Sequence, residues 1–317
     1  MNVATASRRS IPDTATAAVE RVHHGVNTAL ALYLLATAFP MYRWWISTHD
    51  ATPPALHLAA LLIAARTARR RTSPGFIRDW LPLLLGPFLY IELRWLIPGA
   101  GRPHADATII AWEHVLFGGG DLSSTLATRF PSLALSELLH ACYASYYLLV
   151  YLPPALLYLR RQRADFARTM LALGMVYAIC FATYLVFPVD GPRFLVGAAS
   201  APEGPVRGFV LHLLATGSSR GTAFPSSHIA ASVVASLCAL HAGRRMGLGV
   251  SVLTAGLAVA TVYGGFHYAV DAVAGLMVGV ATWLASRRIW AALERASAYD
   301  APGEHRASRL SGSSKPP

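Results

Sequence analysis

Charge is scarce in this chain. Asp, Glu, Lys and Arg make up 14% of 317 residues, while 54% are hydrophobic and the mean hydropathy is +0.43; soluble domains carry about 25% charged residues. That deficit, with apolar runs near the length of a bilayer span, excludes an ordinary soluble domain and predicts a membrane protein. Acidic residues are scarcer still, 16 against 27 basic, for a net charge of +11. The arginines fall in short runs between apolar stretches, not on one recognition helix or aromatic-interleaved patch, which argues against a nucleic-acid partner. Cysteine is nearly absent: Cys142, Cys180 and Cys238 are odd in number and each lies in an apolar stretch. They read as small buried hydrophobes, with no disulfide framework. There is no Gly-x-Ser-x-Gly elbow, no P-loop and no convincing metal cluster, so no cofactor is expected. A cleavable signal is lacking too. Ser7-Arg8-Arg9-Ser10 faintly echoes a twin-arginine signal, but the apolar run starts only near Val26, so residues 1–25 read as a cytoplasmic tail.

What is present is a series of apolar stretches, at 26–46, 52–66, 79–98, 134–158, 168–188, 223–242, 248–266 and 268–287. A span takes about 20 residues, so the expected fold is an all-α polytopic transmembrane bundle of about eight spans, with 52–66 short for the role. Residues 26–290 form one membrane domain, and 291–317 a disordered cytoplasmic tail. Loops are expected at 99–133, with Gly118-Gly119-Gly120, and at 189–222. Within the second, 206–215 predicts an interfacial helix with Phe209, Val210, Leu213 and Leu214 on its apolar side. With the N-terminus inside, twenty basic residues fall on inner segments and six (Arg43, Arg102, Arg129, Arg193, Arg207 and Arg220) on outer ones, and Arg94 lies within a span. The asymmetry places both termini in the cytoplasm of a multi-pass protein of the cell membrane.

Three motifs then fall on the outer side. His267 and Asp271 are four apart and share one helical face. A carboxylate near the membrane can be compensated by the His267 Nδ1–H, leaving Nε2 as nucleophile or base. The same pair would serve equally as a structural pin between helices. Phe224-Pro225-Ser226-Ser227-His228 suits a helix start, where free N–H groups and the dipole favour an anion; by itself it is also a plain N-cap. Gly191-Pro192-Arg193 adds a guanidinium fork for phosphate oxygens, or an arginine holding a lipid headgroup. Together, two histidines, an aspartate, an arginine and a Ser-rich helix start compose a metal-free phosphoryl-transfer site.

These residues resemble the type 2 phosphatidic acid phosphatase superfamily, which includes vanadium haloperoxidases. The branch most similar is that of the aureobasidin-sensitive inositol phosphorylceramide synthases and their bacterial relatives. The three motifs carry the match. Weaker support comes from Asp79-Trp80-Leu81-Pro82 to Tyr90 and Arg94, Leu116-Phe117-Gly118, and Tyr143 to Tyr147, so the resemblance covers about 78–290. It implies a six-helix catalytic core with an extracytoplasmic active site. His267 would become a phosphohistidine with Asp271 behind it, and His228 would protonate the leaving oxygen. Arg193 and the amides near Ser226 and Ser227 would hold the phosphoryl oxygens. Two cations of the broader superfamily are missing: Val186 and Thr261 stand where a Lys and an Arg are usual. Arg220, in Gly217-Ser218-Ser219-Arg220-Gly221, is the candidate to replace them as a phosphate ligand, or it snorkels to lipid headgroups. The expected function is phosphotransfer on a lipid or polyprenyl phosphoester, resembling inositolphosphotransferases. The alternatives are hydrolysis of a lipid phosphate and a non-catalytic lipid transporter or scaffold. The expected partners are that lipid and the bilayer.

Overall fold

A computed structural model describes residues 13–69, 75–118, 122–197 and 200–300. Ser7-Arg8-Arg9-Ser10, Arg70, Arg71, Gly119, Gly120 and the tail from 301 lie outside the described residues.

The described chain is helical, with no strand: α1 Asp13–Thr48, α2 Thr52–Arg69, α3 Phe76–Ala100, α4 Asp106–Phe117, α5 Leu122–Arg129, α6 Leu133–Ala144, α7 Tyr146–Leu159, α8 Arg163–Val186, α9 Pro192–Leu195, α10 Pro205–Gly217, α11 Ser227–Ala242, α12 Arg244–Tyr263 and α13 Ala269–Asp300. It is a polytopic helical bundle. Among the described residues α1, α3, α8, α12 and α13 are long and apolar enough to cross a bilayer, and α6 with α7, bent by 44° at their break, passes the same test as a pair, either as a broken sixth span or as a re-entrant loop. The remaining two expected spans are shorter helices, α2 of 18 residues and α11 of 16.

Two helices overrun their apolar stretches because their ends pack together. The α1 residues Ala18, Val19 and Val22 and the α13 residue Trp290 are buried against Ala167 and Leu171 of α8. The stretch 99–133, read as a loop, holds α4 and α5. Asp106 in the first turn of α4 and Gly118 in the left-handed conformation after it are ordinary helix punctuation. The interfacial helix expected at 206–215 is α10, with Val210 buried and Phe209 exposed.

Several polar groups inside the bundle pair across helices, which offsets the cost of a low-dielectric interior. His57 of α2 contacts Glu92 of α3 at 2.6 Å and the Leu34 carbonyl of α1 at 2.8 Å. Arg78 binds Glu20 and Asp79, and the Asn27 amide donates to the Arg78 carbonyl.

Close backbone packing sets the part of the bundle that matters for function. Gly275 and Gly279 of α13 lie against α11, where a Cβ would meet the Ser226 carbonyl oxygen at 2.6 Å and that of Ala230 at 2.8 Å. This small-xxx-small contact lets the two backbones touch and brings the start of α13 beside the start of α11.

Candidate active site

At the head of α11, Ser226 is the N-cap, its Oγ accepting from the Ile229 N–H. The first amides are already used. Ser226 N–H donates to the Asp271 carbonyl (3.1 Å), and Ser227 N–H to the Tyr184 hydroxyl (3.2 Å), which itself donates to the Pro225 carbonyl. Both serines are buried. One turn in, the His228 ring lies against Tyr146 and Tyr143, with centroids 4.4 and 5.2 Å away, and its Nε2 is 3.4 Å from the Tyr143 hydroxyl.

His267 sits in the turn between α12 and α13. Its backbone N–H donates to the Thr261 carbonyl, and Asp271 Oδ2 accepts from the Tyr268 N–H, the reach-back half of a capping box. The same Oδ2 is 3.4 Å from His267 Nδ1, a contact without hydrogen-bond alignment. Glu113 of α4 takes the next two amides, Ala269 and Val270, on its two carboxylate oxygens (3.2 and 2.9 Å). Burial pushes the His267 imidazole down to about 4, opposed by the dipole of the nearby Ala223 backbone and helped by Arg193. The ring is therefore neutral at physiological pH.

Arg193 comes from α9. The chain before it pairs with the chain before α11 through a single parallel bridge between Val189 and Thr222. Asp106 of α4 accepts from the Asp190 and Gly191 amides, both at 3.0 Å, and Gly191 has φ +87°, the left-handed region open to glycine. The Arg193 guanidinium donates to the Ser218 hydroxyl. Burial works against its charged form, a cost that an anion beside it would offset.

His228, His267 and Arg193 line one cavity of about 30 Å³, with Tyr90, Tyr143 and Ser218. The two imidazole centroids are 5.9 Å apart. The volume is room for about two waters, so a phosphate must widen it. Asp271 stands behind His267, and Ser226 and Ser227 stand behind His228. Arg220 is 63% exposed, paired with Asp190 at 3.4 Å, and its guanidinium lies over the Phe194 ring whose other neighbour is Arg193. His104, Asp106 and Asp190 form a group of possible metal-ligand atoms within 4.8 Å of one another. Their oxygens already accept amides, and Asp190 also holds His104 at 2.8 Å; the group braces the Arg193 loop.

The family model described as the PAP2 superfamily matches residues 107–285, more than half of the chain. The chain belongs to the PAP2 superfamily. No curated protein and no solved structure matches it. The match spans α4 to most of α13, and so includes every residue of the cavity except Tyr90. Membership supports an enzyme of the phosphatase or phosphotransferase kind, acting on a lipid-type phosphoester in a bilayer. α1, α2 and α3 lie outside the match; α1 packs onto α8 and α13 and α3 onto α8, while α2 packs on α1 and α3. Tyr90, Tyr143 and Ser218 fall only within the weaker stretches of the resemblance and the Arg220 segment; they sit on separate elements, and spacing along the chain carries no trace of their convergence on one cavity.

Proposed function

We propose that this PAP2 protein is a phosphotransferase that cleaves a lipid or polyprenyl phosphoester through a phosphohistidine on His267. The observation that carries the reading is the shared cavity of two imidazoles and one guanidinium. Neutral His267 attacks phosphorus with one ring nitrogen while Asp271 draws on the other, stabilising the cation that forms. A phosphate beside His228 favours its protonated form. His228 then gives that proton to the leaving oxygen as the P–O bond breaks. In the second half an acceptor hydroxyl returns its proton to His228 and displaces His267. Arg193 faces the equatorial oxygens. Resemblance to the inositol phosphorylceramide synthase branch favours an alcohol acceptor, with transfer of a phosphorylated headgroup such as inositol phosphate. Hydrolysis is the same chemistry with water.

The experiment is turnover of a chromogenic phosphoester by purified protein, followed by base quench. A base-stable phosphate adduct should form on the wild type and not on His267→Ala, and His267→Ala should lose at least about 10³-fold in kcat. Asp271→Asn, which alters only the orienting group, should lose about 10–100-fold. Turnover should persist in excess chelator. An adduct that persists in His267→Ala would overturn the assignment, and a protein with no turnover at all would be a lipid-binding scaffold or transporter. Added alcohols that capture the phosphoryl group in competition with water would mark the transferase.

A further inference from the structure

Two more cavities follow in a row beside the catalytic one. The first, of about 250 Å³, shares Tyr90 and His228 with it and runs between α3 and α7 over Tyr146, Tyr147 and Tyr177. The second, of about 200 Å³, lies between α1, α3 and α8 and ends against Val26, Leu30 and Leu171. The two adjoin across a common wall of Leu83, Gly86, Tyr177 and Phe181. Lining grades from phosphate-competent at His228, through tyrosine rings, to hydrocarbon, with the Tyr33 ring 6.4 Å from Phe181 beside the shared wall. Apart from His228 and the tyrosines, no titratable side chain lines either one.

The first cavity is built into α3. Pro87 has no N–H to give the Leu83 carbonyl, which leaves that carbonyl without its helical partner. The Tyr151 hydroxyl of α7 supplies the missing donor at 2.8 Å. This bond ties α7 to α3 at the base of the gap, while above it both helices lean on α8. At the shared wall Gly86 offers no side chain, and a Cβ there would meet only the Tyr151 hydroxyl at 3.8 Å.

Resting on the phosphotransferase reading, we propose that one hydrocarbon chain of the lipid phosphoester is held inside the protein, in this passage from His228 to α1, instead of trailing in the bilayer. The shared lining of Tyr90 and His228 sets the headgroup at one end. An apolar terminus more than two helical turns down α3 suits a long unbranched or isoprenoid chain. The outer face of α3, with Leu84 half exposed, is then lipid contact and not substrate contact.

The test uses hexadecyl phosphate carrying a diazirine at its chain terminus, irradiated with the full chain in nanodiscs and mapped by mass spectrometry. Adducts are expected on Leu30, Met170 or Leu171, suppressed by excess unlabelled hexadecyl phosphate. Gly86→Leu, which fills the shared wall, should cut those adducts at least about tenfold. It should also lower the ratio of kcat/KM for hexadecyl over butyl phosphate at least about tenfold, or about 1.4 kcal/mol of chain recognition. Adducts on Leu84 and other lipid-facing residues would overturn the passage. Equal labelling by a diazirine alkane without phosphate would reduce it to a cavity that takes any hydrocarbon, and overturn the substrate assignment. The wild-type adduct map decides the question even if Gly86→Leu does not fold. Inner-cavity labelling in a protein that turns nothing over would leave the passage standing and remove the catalytic reading instead.

Discussion

Two arginines compete for the role of phosphate ligand, and their surroundings separate them. Arg193 is partly buried on the cavity wall, while Arg220 is exposed and spends its charge on Asp190. Arg193→Ala should therefore lower kcat/KM by about 10²-fold or more, as lost oxyanion donors do. Arg220→Ala should stay within about threefold, under ~1 kcal/mol. Comparable losses would show that Arg220 swings in over Phe194 once substrate binds. His267 gives a second expectation. Its folded pKa is depressed to about 4, so the neutral nucleophile is present above that value and lost below it. With a phosphodiester probe, which keeps one charge across the range, the acid limb of kcat/KM should lie near pH 4 and not near 6.5. Stability moves in the same sense, because an unfolded His267 takes its proton near 6.5 while the folded one resists, so acidification from 6.5 toward 4 destabilises the fold.

At the scale of elements, three carboxylates each grip two consecutive amides: Asp106 on Asp190 and Gly191, Glu113 on Ala269 and Val270, and Glu137 on Val206 and Arg207. Two of these sit at helix starts, where they answer the dipole as well as the orphan donors. Glu113→Gln keeps the volume but halves the acceptors and removes the charge. It should cost about 1–3 kcal/mol, read as a lowered thermal midpoint in detergent, and lower kcat because His267 precedes the amides it holds. An unchanged midpoint would mean that α13 is fixed by its packing alone. These clamps also mark where sequence reading stops. The long apolar stretches, the helix start at Ser226 and the His267–Asp271 spacing are local patterns, legible because period and capping leave marks in adjacent residues. Glu113 and Asp106 act on amides 156 and 84 residues away, and nothing in their own neighbourhoods says so. The helix α4 that carries them was hidden in a stretch read as loop, although Asp106 and Gly118 punctuate it. The amides of Ser226 and Ser227, read as open to an anion, are taken by Asp271 and Tyr184, partners supplied only by tertiary packing.

At the scale of the molecule, the arginine asymmetry sets an orientation that can be measured. A single cysteine at exposed Ser200, in a protein whose three native cysteines are replaced, should react with an impermeant reagent in intact cells, because 189–222 is expected outside. Labelling only after lysis would invert the topology and place the histidine cavity in the cytoplasm. The bundle also divides mechanically. Where α11 meets α13, carbonyl oxygens stand where glycine side chains would be, so the spacing between the two histidine-bearing segments is a backbone dimension with no side chain to compress or extend. At Pro87 of α3 a tyrosine hydroxyl fills in for a missing amide, so flexing there breaks no backbone hydrogen bond. The distance across which phosphorus is passed is thus held by backbone against backbone, whereas the gap between α3 and α7 hangs on a single side-chain hydrogen bond.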